Sequence, residues 1–206
     1  LPDNGPRGVS ATRNNKRILS VNDKGALKIW DFATQEELMN LRIGHETLQV
    51  ALTADDRWLA FCYPTLRLMP CHSEFSAIYL YGHTGPLNST SVSHNGKLIA
   101  SSSEDNSVRV WDASNGVLLQ SIQIESQVIS LSFDPLDKLL LCGCQDGSIR
   151  TWEFASQNEP KSTHVHHAPI SYLNVLHEGG RLLAFFEASD EKHIWDLSSE
   201  TMVKDL

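Results

Sequence analysis

The chain has 206 residues, 41% of them apolar, with 25 acidic and 17 basic side chains for a net charge of −8. That apolar fraction excludes a disordered chain, and the acidic balance repels phosphate backbones and so argues against nucleic acid as a partner. No apolar run approaches a membrane span, no signal peptide is visible, and four scattered cysteines (Cys62, Cys71, Cys142, Cys144) read as reduced thiols of a cytoplasmic protein, with the nucleus as the other compartment open to it.

Residues 1 to 8, rich in Pro and Gly, read as a connector. From Val9 onward short apolar alternations are broken by polar turns at a fixed period, and tryptophan marks it. The first unit, 9–41, turns at Asn22-Asp23-Lys24-Gly25 and reaches Trp30-Asp31 through Ala26-Leu27-Lys28-Ile29. The second, 48–80, has lost its Trp near Met69; its third strand is Leu66-Arg67-Leu68-Met69, and Pro64 shortens the turn before it. It is inferred from the 81-residue gap between Trp30 and Trp111, against gaps of 41 and 43 to Trp152 and Trp195.

The third unit, 86–123, is the clearest. Pro86 to Val92 predicts one strand, His94-Asn95-Gly96-Lys97 a turn with the favoured Asn-Gly pair, and Leu98 to Ser102 a second strand. Glu104-Asp105-Asn106 turns again. Ser107 to Trp111 alternates Val108 and Val110 inward against Arg109 outward, and Val117 to Ile122 closes the unit. The fourth, 128–163, turns at Asp134-Pro135-Leu136-Asp137 and carries Trp152-Glu153; the fifth, 169–206, turns at Glu178-Gly179-Gly180 and carries Trp195-Asp196. A second marker keeps the same period: Gly44-His45, Gly82-His83, then Gln123-Ile124 and Val165-His166.

Gly82-His83, Leu98-Ile99-Ala100-Ser101 and Glu104-Asp105-Asn106-Ser107-Val108-Arg109-Val110-Trp111-Asp112 together resemble the WD-repeat consensus almost without gaps. The resemblance implies an all-β propeller of four-stranded antiparallel blades, with about five present over residues 9 to 206. The familiar ring has seven blades, and the chain opens in a Pro/Gly segment and stops just after a strand. The expectation is therefore a piece of a larger, seven-bladed propeller, the alternative being an unusual closure of five.

The resemblance also implies a structural clasp in the third blade: Asp105 accepting from His83, His83 meeting Ser101, and Ser101 accepting from the Trp111 indole N–H. The same residues could be read as an Asp-His-Ser triad, but the blade spacing points them into a sheet and favours the clasp. Other blades lose members. In the fourth, Ile124 and Cys142 replace His and Ser. In the fifth, His166 and Trp195 remain while Phe185 and Ser189 replace Ser and Asp, with Asp190 one place off.

The remaining chemistry-bearing clusters read as bland. His164, His166 and His167 lack a fourth ligand at suitable spacing, so no metal is assigned. Cys142-x-Cys144 is on a strand where Ala100 and Ser102 sit in the third blade, which favours packing. The Gly179-Gly180 and Gly143/Gly147 pairs lack the Lys-Ser/Thr of a phosphate loop. The sequon Asn88-Ser89-Thr90 falls on a predicted strand. No cofactor and no catalytic residue is assigned.

By resemblance, the residue just before the turn Asp faces the surface where partners dock: Glu104 in the third blade and Gln145 in the fourth. The expected function is a non-catalytic scaffold that presents propeller loops to a protein or peptide, within a larger chain or complex. Its alternative is an autoinhibitory or sensing propeller of a NACHT or apoptosome-type signalling ATPase; an enzyme is the remote third class.

Overall fold

The computed structural model of the protein describes residues 6–11, 16–22, 24–42, 50–52, 58–62, 66–70, 78–153, 156, 158–176, 181–186, 192–196 and 201–205. Gly44-His45, Asp23, Pro64, Glu178 to Gly180, Ser189, Asp190 and Cys71 lie outside them. The described residues form strands and turns with no helix.

Each repeat folds as its own four-stranded antiparallel sheet, with strands in sequence order. The first holds β1 (Pro6–Ala11), β2 (Arg17–Asn22), β3 (Ala26–Asp31) and β4 (Glu37–Arg42). The second holds β5 (Val50–Leu52), β6 (Trp58–Cys62), β7 (Leu66–Pro70) and β8 (Ile78–Leu80). The third holds β9 (Leu87–Val92), β10 (Leu98–Ser103), β11 (Ser107–Asp112) and β12 (Leu118–Gln123). The fourth holds β13 (Val128–Phe133), β14 (Leu140–Cys144), β15 (Ser148–Trp152) and β16 (Lys161–His164). The fifth holds β17 (Ile170–Leu176), β18 (Arg181–Phe186), β19 (Lys192–Asp196) and β20 (Thr201–Asp205). This is a five-bladed propeller arrangement. β1 begins at Pro6, inside the stretch read as a connector.

The blades stack through their first strands: β1 meets β5, β5 meets β9, β9 meets β13 and β13 meets β17. Burial follows the same order. β10 is almost wholly buried and no residue of β9 is exposed, whereas five of the six residues of β12 are exposed, as the rim strand of a blade should be. Inward side chains alternate with outward ones along each strand, so every blade has two apolar faces and can bury neither alone. The face carrying the tryptophan packs on the preceding blade. Trp111 and Ile99 lie with Leu66, Leu68 and Leu80 of the second blade. Trp152, Leu140 and Phe133 lie with Ala100, Val108 and Val110 of the third. Leu182, Ala184 and Phe186 lie with Leu141 and Ile149 of the fourth. Each such large apolar side chain contributes about 1.5–3 kcal/mol on burial.

Strand register identifies the equivalent positions. Trp30 pairs with Ile18, Trp111 with Ile99, Trp152 with Leu140 and Trp195 with Leu182. Met69 pairs with Leu59, so it occupies the tryptophan position of the second blade, against the core shared with the first. The register corrects one reading of the fifth blade. Two residues beyond Leu182 stands Ala184, and that is the counterpart of Ser101; Phe185 points to the other face and meets Tyr172 edge-on at 5.7 Å. The register matches Cys142 to Ser101, as the clasp comparison has it, and Cys144 to Ser103; the parallel drawn between Cys142-x-Cys144 and Ala100 and Ser102 is one place off. Both cysteines face the third blade, while Gly143 between them faces the fifth, where a Cβ would come within 2.7 Å of Ile170.

Candidate functional site

The third blade brings together the four residues of the implied clasp, and they are joined by hydrogen bonds. His83 comes from the segment entering β9, Ser101 from β10, Asp105 from the β10–β11 turn and Trp111 from the end of β11. The Trp111 indole N–H donates to Ser101 Oγ at 2.8 Å. Ser101 Oγ lies 2.8 Å from His83 Nε2, and His83 Nδ1 lies 3.1 Å from Asp105 Oδ2. One assignment satisfies every group: Ser101 O–H donates to Nε2, and Nδ1–H donates to the carboxylate. Burial holds the His83 pKa below its usual value, against the pull of the Asp105 hydrogen bond and charge, so the neutral imidazole this chain needs is also the favoured one. For Asp105, burial alone would raise the pKa. The Ser107 hydroxyl, the backbone N–H groups of Thr84 and Ser107, and His83 outweigh it and hold the carboxyl well below its usual range. Ser101 is fully buried, which leaves no path for a substrate carbonyl to its oxygen.

The other blades replace members of the clasp, each with a different result. In the fourth, Ile124, Cys142 and Trp152 are all buried in one apolar cluster, an exchange of whole partners that can be nearly neutral. Asp146 still accepts from the Ser148 N–H and hydroxyl, but its second oxygen turns to Arg150 at 3.4 Å. The first blade keeps a link that the sequence reading passed over: Trp30 Nε1 donates to Ser20 Oγ at 3.4 Å. The signal was available, since Ser20 stands two residues past the partner of Trp30, as Ser101 does for Trp111. In the fifth blade Ala184 offers no acceptor, and the Trp195 indole N–H is buried without a hydrogen-bond partner among the described residues.

Glu104 and Gln145 are both exposed, and they line the same groove. It opens between the β10–β11 turn of the third blade and the β14–β15 turn of the fourth. The connection from β12 to β13 forms its floor, contributing Glu125 and Gln127, and Asp146 and Arg150 complete the wall. Three carboxylates face one guanidinium that Asp146 already engages, so the groove is acidic on balance. The sequence reading missed Glu125, Gln127 and Arg150, because a connecting segment and a mid-strand arginine carry no signal until the blades are placed side by side.

Elsewhere the histidine-rich segment is split. His164 and His167 are exposed, while His166 packs tilted against Phe186, with ring centroids 4.2 Å apart, and accepts the Ala168 N–H at Nδ1. Among the described residues no group of three His, Cys, Asp or Glu side chains is arranged to hold a metal ion. In the sequon, the Asn88 amide donates to the Val128 carbonyl at 3.1 Å and Ser89 is buried on the innermost strand.

Four-stranded antiparallel blades, a Trp-acid pair closing the third strand, and the His-Ser-Asp-Trp hydrogen-bond chain define a WD-type β-propeller. Comparison with known families agrees: the WD40 model (WD domain, G-beta repeat) matches residues 74–112 and 116–153, so the chain carries WD40 repeats there. Part of this chain is 39% identical to the periodic tryptophan protein 2 homolog of Schizosaccharomyces pombe over 74 residues, 35% of this chain and 9% of that protein. The small ribosomal subunit protein RACK1 of Medicago sativa is 34% identical over 79 residues, 38% of this chain and 24% of its own. Protein groucho of Drosophila melanogaster is 23% identical over 176 residues, 83% of this chain and 24% of its own. The chain thus spans a quarter or less of these relatives' lengths. WD-repeat proteins generally mediate protein–protein interactions.

Proposed function

We propose that the protein is a non-catalytic interaction scaffold that docks a partner protein or peptide in the groove between its third and fourth blades. The observation that carries this reading is the convergence of Glu104 and Gln145, from two separate repeats, on one groove. Its walls are turns, which can vary without disturbing the stacked sheets beneath. Its acidic balance favours a partner segment that offers basic side chains and N–H donors.

In this reading the Asp105-His83-Ser101-Trp111 chain is a structural clasp. Its serine oxygen is buried and already accepts an indole N–H, which supports packing over nucleophilic chemistry. The free, buried thiols of Cys142 and Cys144 support a cytoplasmic setting. Pull-down with the wild-type chain and with a Glu104→Ala/Gln145→Ala variant tests the assignment. The variant should lose partners that the wild type retains; full retention by a folded variant would refute the groove as the docking site.

A further inference from the structure

The turn Asp134-Pro135-Leu136-Asp137 departs from its counterpart in the third blade in one respect, and the departure has a use. The two turns are built alike. Asp137 N–H donates to the Asp134 carbonyl at 3.0 Å, as Gly96 N–H does to Ser93. Asp134 Oδ1 accepts the Leu139 N–H, as Ser93 Oγ accepts that of Leu98. Asp137 therefore stands where the third blade has Gly96, and both adopt left-handed backbone, φ 56° and 70°. A non-glycine residue there carries backbone strain, which Asp tolerates better than most and which a side-chain hydrogen bond can offset. The Asp137 carboxylate is engaged across the blade boundary. Oδ1 accepts the His94 N–H at 2.5 Å and Oδ2 the Asn95 N–H at 2.8 Å. The side chain is 10% exposed, so these charge-assisted bonds are largely shielded from water.

β10 runs from the first of these turns to the groove, and β14 from the second. The carboxylate thus ties the third and fourth blades at the end opposite the groove. Between the two ends, Ser89 Oγ accepts the Leu131 N–H at 3.1 Å and Asn88 binds the Val128 carbonyl. We propose that Asp137 is a latch between the blades, a positioning residue that fixes their mutual angle and so the width of the groove. Its bearing on partner binding rests on the function proposed above, but the latch itself does not.

Asp137→Gly tests it, because glycine suits the turn and removes only the carboxylate. Amide hydrogen exchange followed by NMR needs no partner. Exchange at His94 and Asn95 should accelerate by about tenfold or more, the loss of one strong hydrogen bond. The amide signals of Glu104 and Gln145 should shift, while those of the first blade stay in place. Asp137→Asn, which keeps one oxygen, should recover part of both effects, and it carries the test alone if the glycine variant does not fold. Unchanged exchange at His94 and Asn95 would overturn the latch. Faster exchange with unmoved groove signals would overturn its control of the groove. Neither result depends on whether the Glu104/Gln145 variant loses its partners.

Discussion

Ala184→Ser should stabilise the protein. The fifth blade buries the Trp195 indole N–H without a partner among the described residues, and Ala184 occupies the position from which Ser101 accepts the Trp111 N–H. An unsatisfied buried donor costs about 1–3 kcal/mol. A hydroxyl at position 184 recovers part of that, but it must also place its own hydrogen in a fully buried site. In the third blade His83 Nε2 takes that hydrogen. In the fifth, His166 uses Nδ1 to accept from Ala168, so its other nitrogen carries a proton and cannot accept. The net gain should therefore be about 1 kcal/mol, or about 2–4 °C in Tm for a chain of this size. Ser101→Ala is the reciprocal change. It strands the Trp111 N–H and the His83 Nε2 together and should cost about 2–4 kcal/mol. Urea and thermal unfolding of both variants, followed by tryptophan fluorescence, check the pair. A loss of stability in Ala184→Ser, or none in Ser101→Ala, would refute the view that the indole N–H needs this acceptor.

The same geometry sets three further outcomes. The folded state holds both His83 and Asp105 below their ordinary pKa values of 6.5 and 3.8, so the unfolded chain binds more protons as the pH falls. Stability should be full above about pH 6.5, decline below it and decline more steeply below about pH 4; a Tm that rises between pH 7 and pH 5 would reverse the sign. Gly147→Ala should cost about 2 kcal/mol or more by chemical denaturation, because φ is +77° and a Cβ would lie 1.9 Å from the His166 carbonyl oxygen. Burial raises the Cys142 thiol pKa well above its usual value and that of Cys144 to about 11. Both should resist iodoacetamide at pH 8 until the chain unfolds, as read by peptide mapping.

The repeat was legible because each blade carries its own local signature. Tryptophan spacing located four sheets, and the long gap after Trp30 located the one in which Met69 stands in for tryptophan. The Gly-His and turn-Asp markers located His83, Ser101 and Asp105, since their offsets from Trp111 are set within one blade. Where a turn of uncertain length intervened, alignment slipped by one residue. In a strand that slip exchanges the two faces, which is how Phe185 stood in for Ala184.

Sequence alone thus determined the four-stranded blades, their number and the loops that carry Glu104 and Gln145, because period-two alternation, turn residues and the Trp-acid pair are all local. Tertiary structure decided what those blades do to one another. Glu125 and Arg150 join the groove, Asp137 reaches two amides in the neighbouring blade, and Trp195 goes without an acceptor. Each depends on residues about one repeat apart or on pairing between strands. The chain writes no pattern for such contacts, which exist only once each sheet buries its second apolar face against the next.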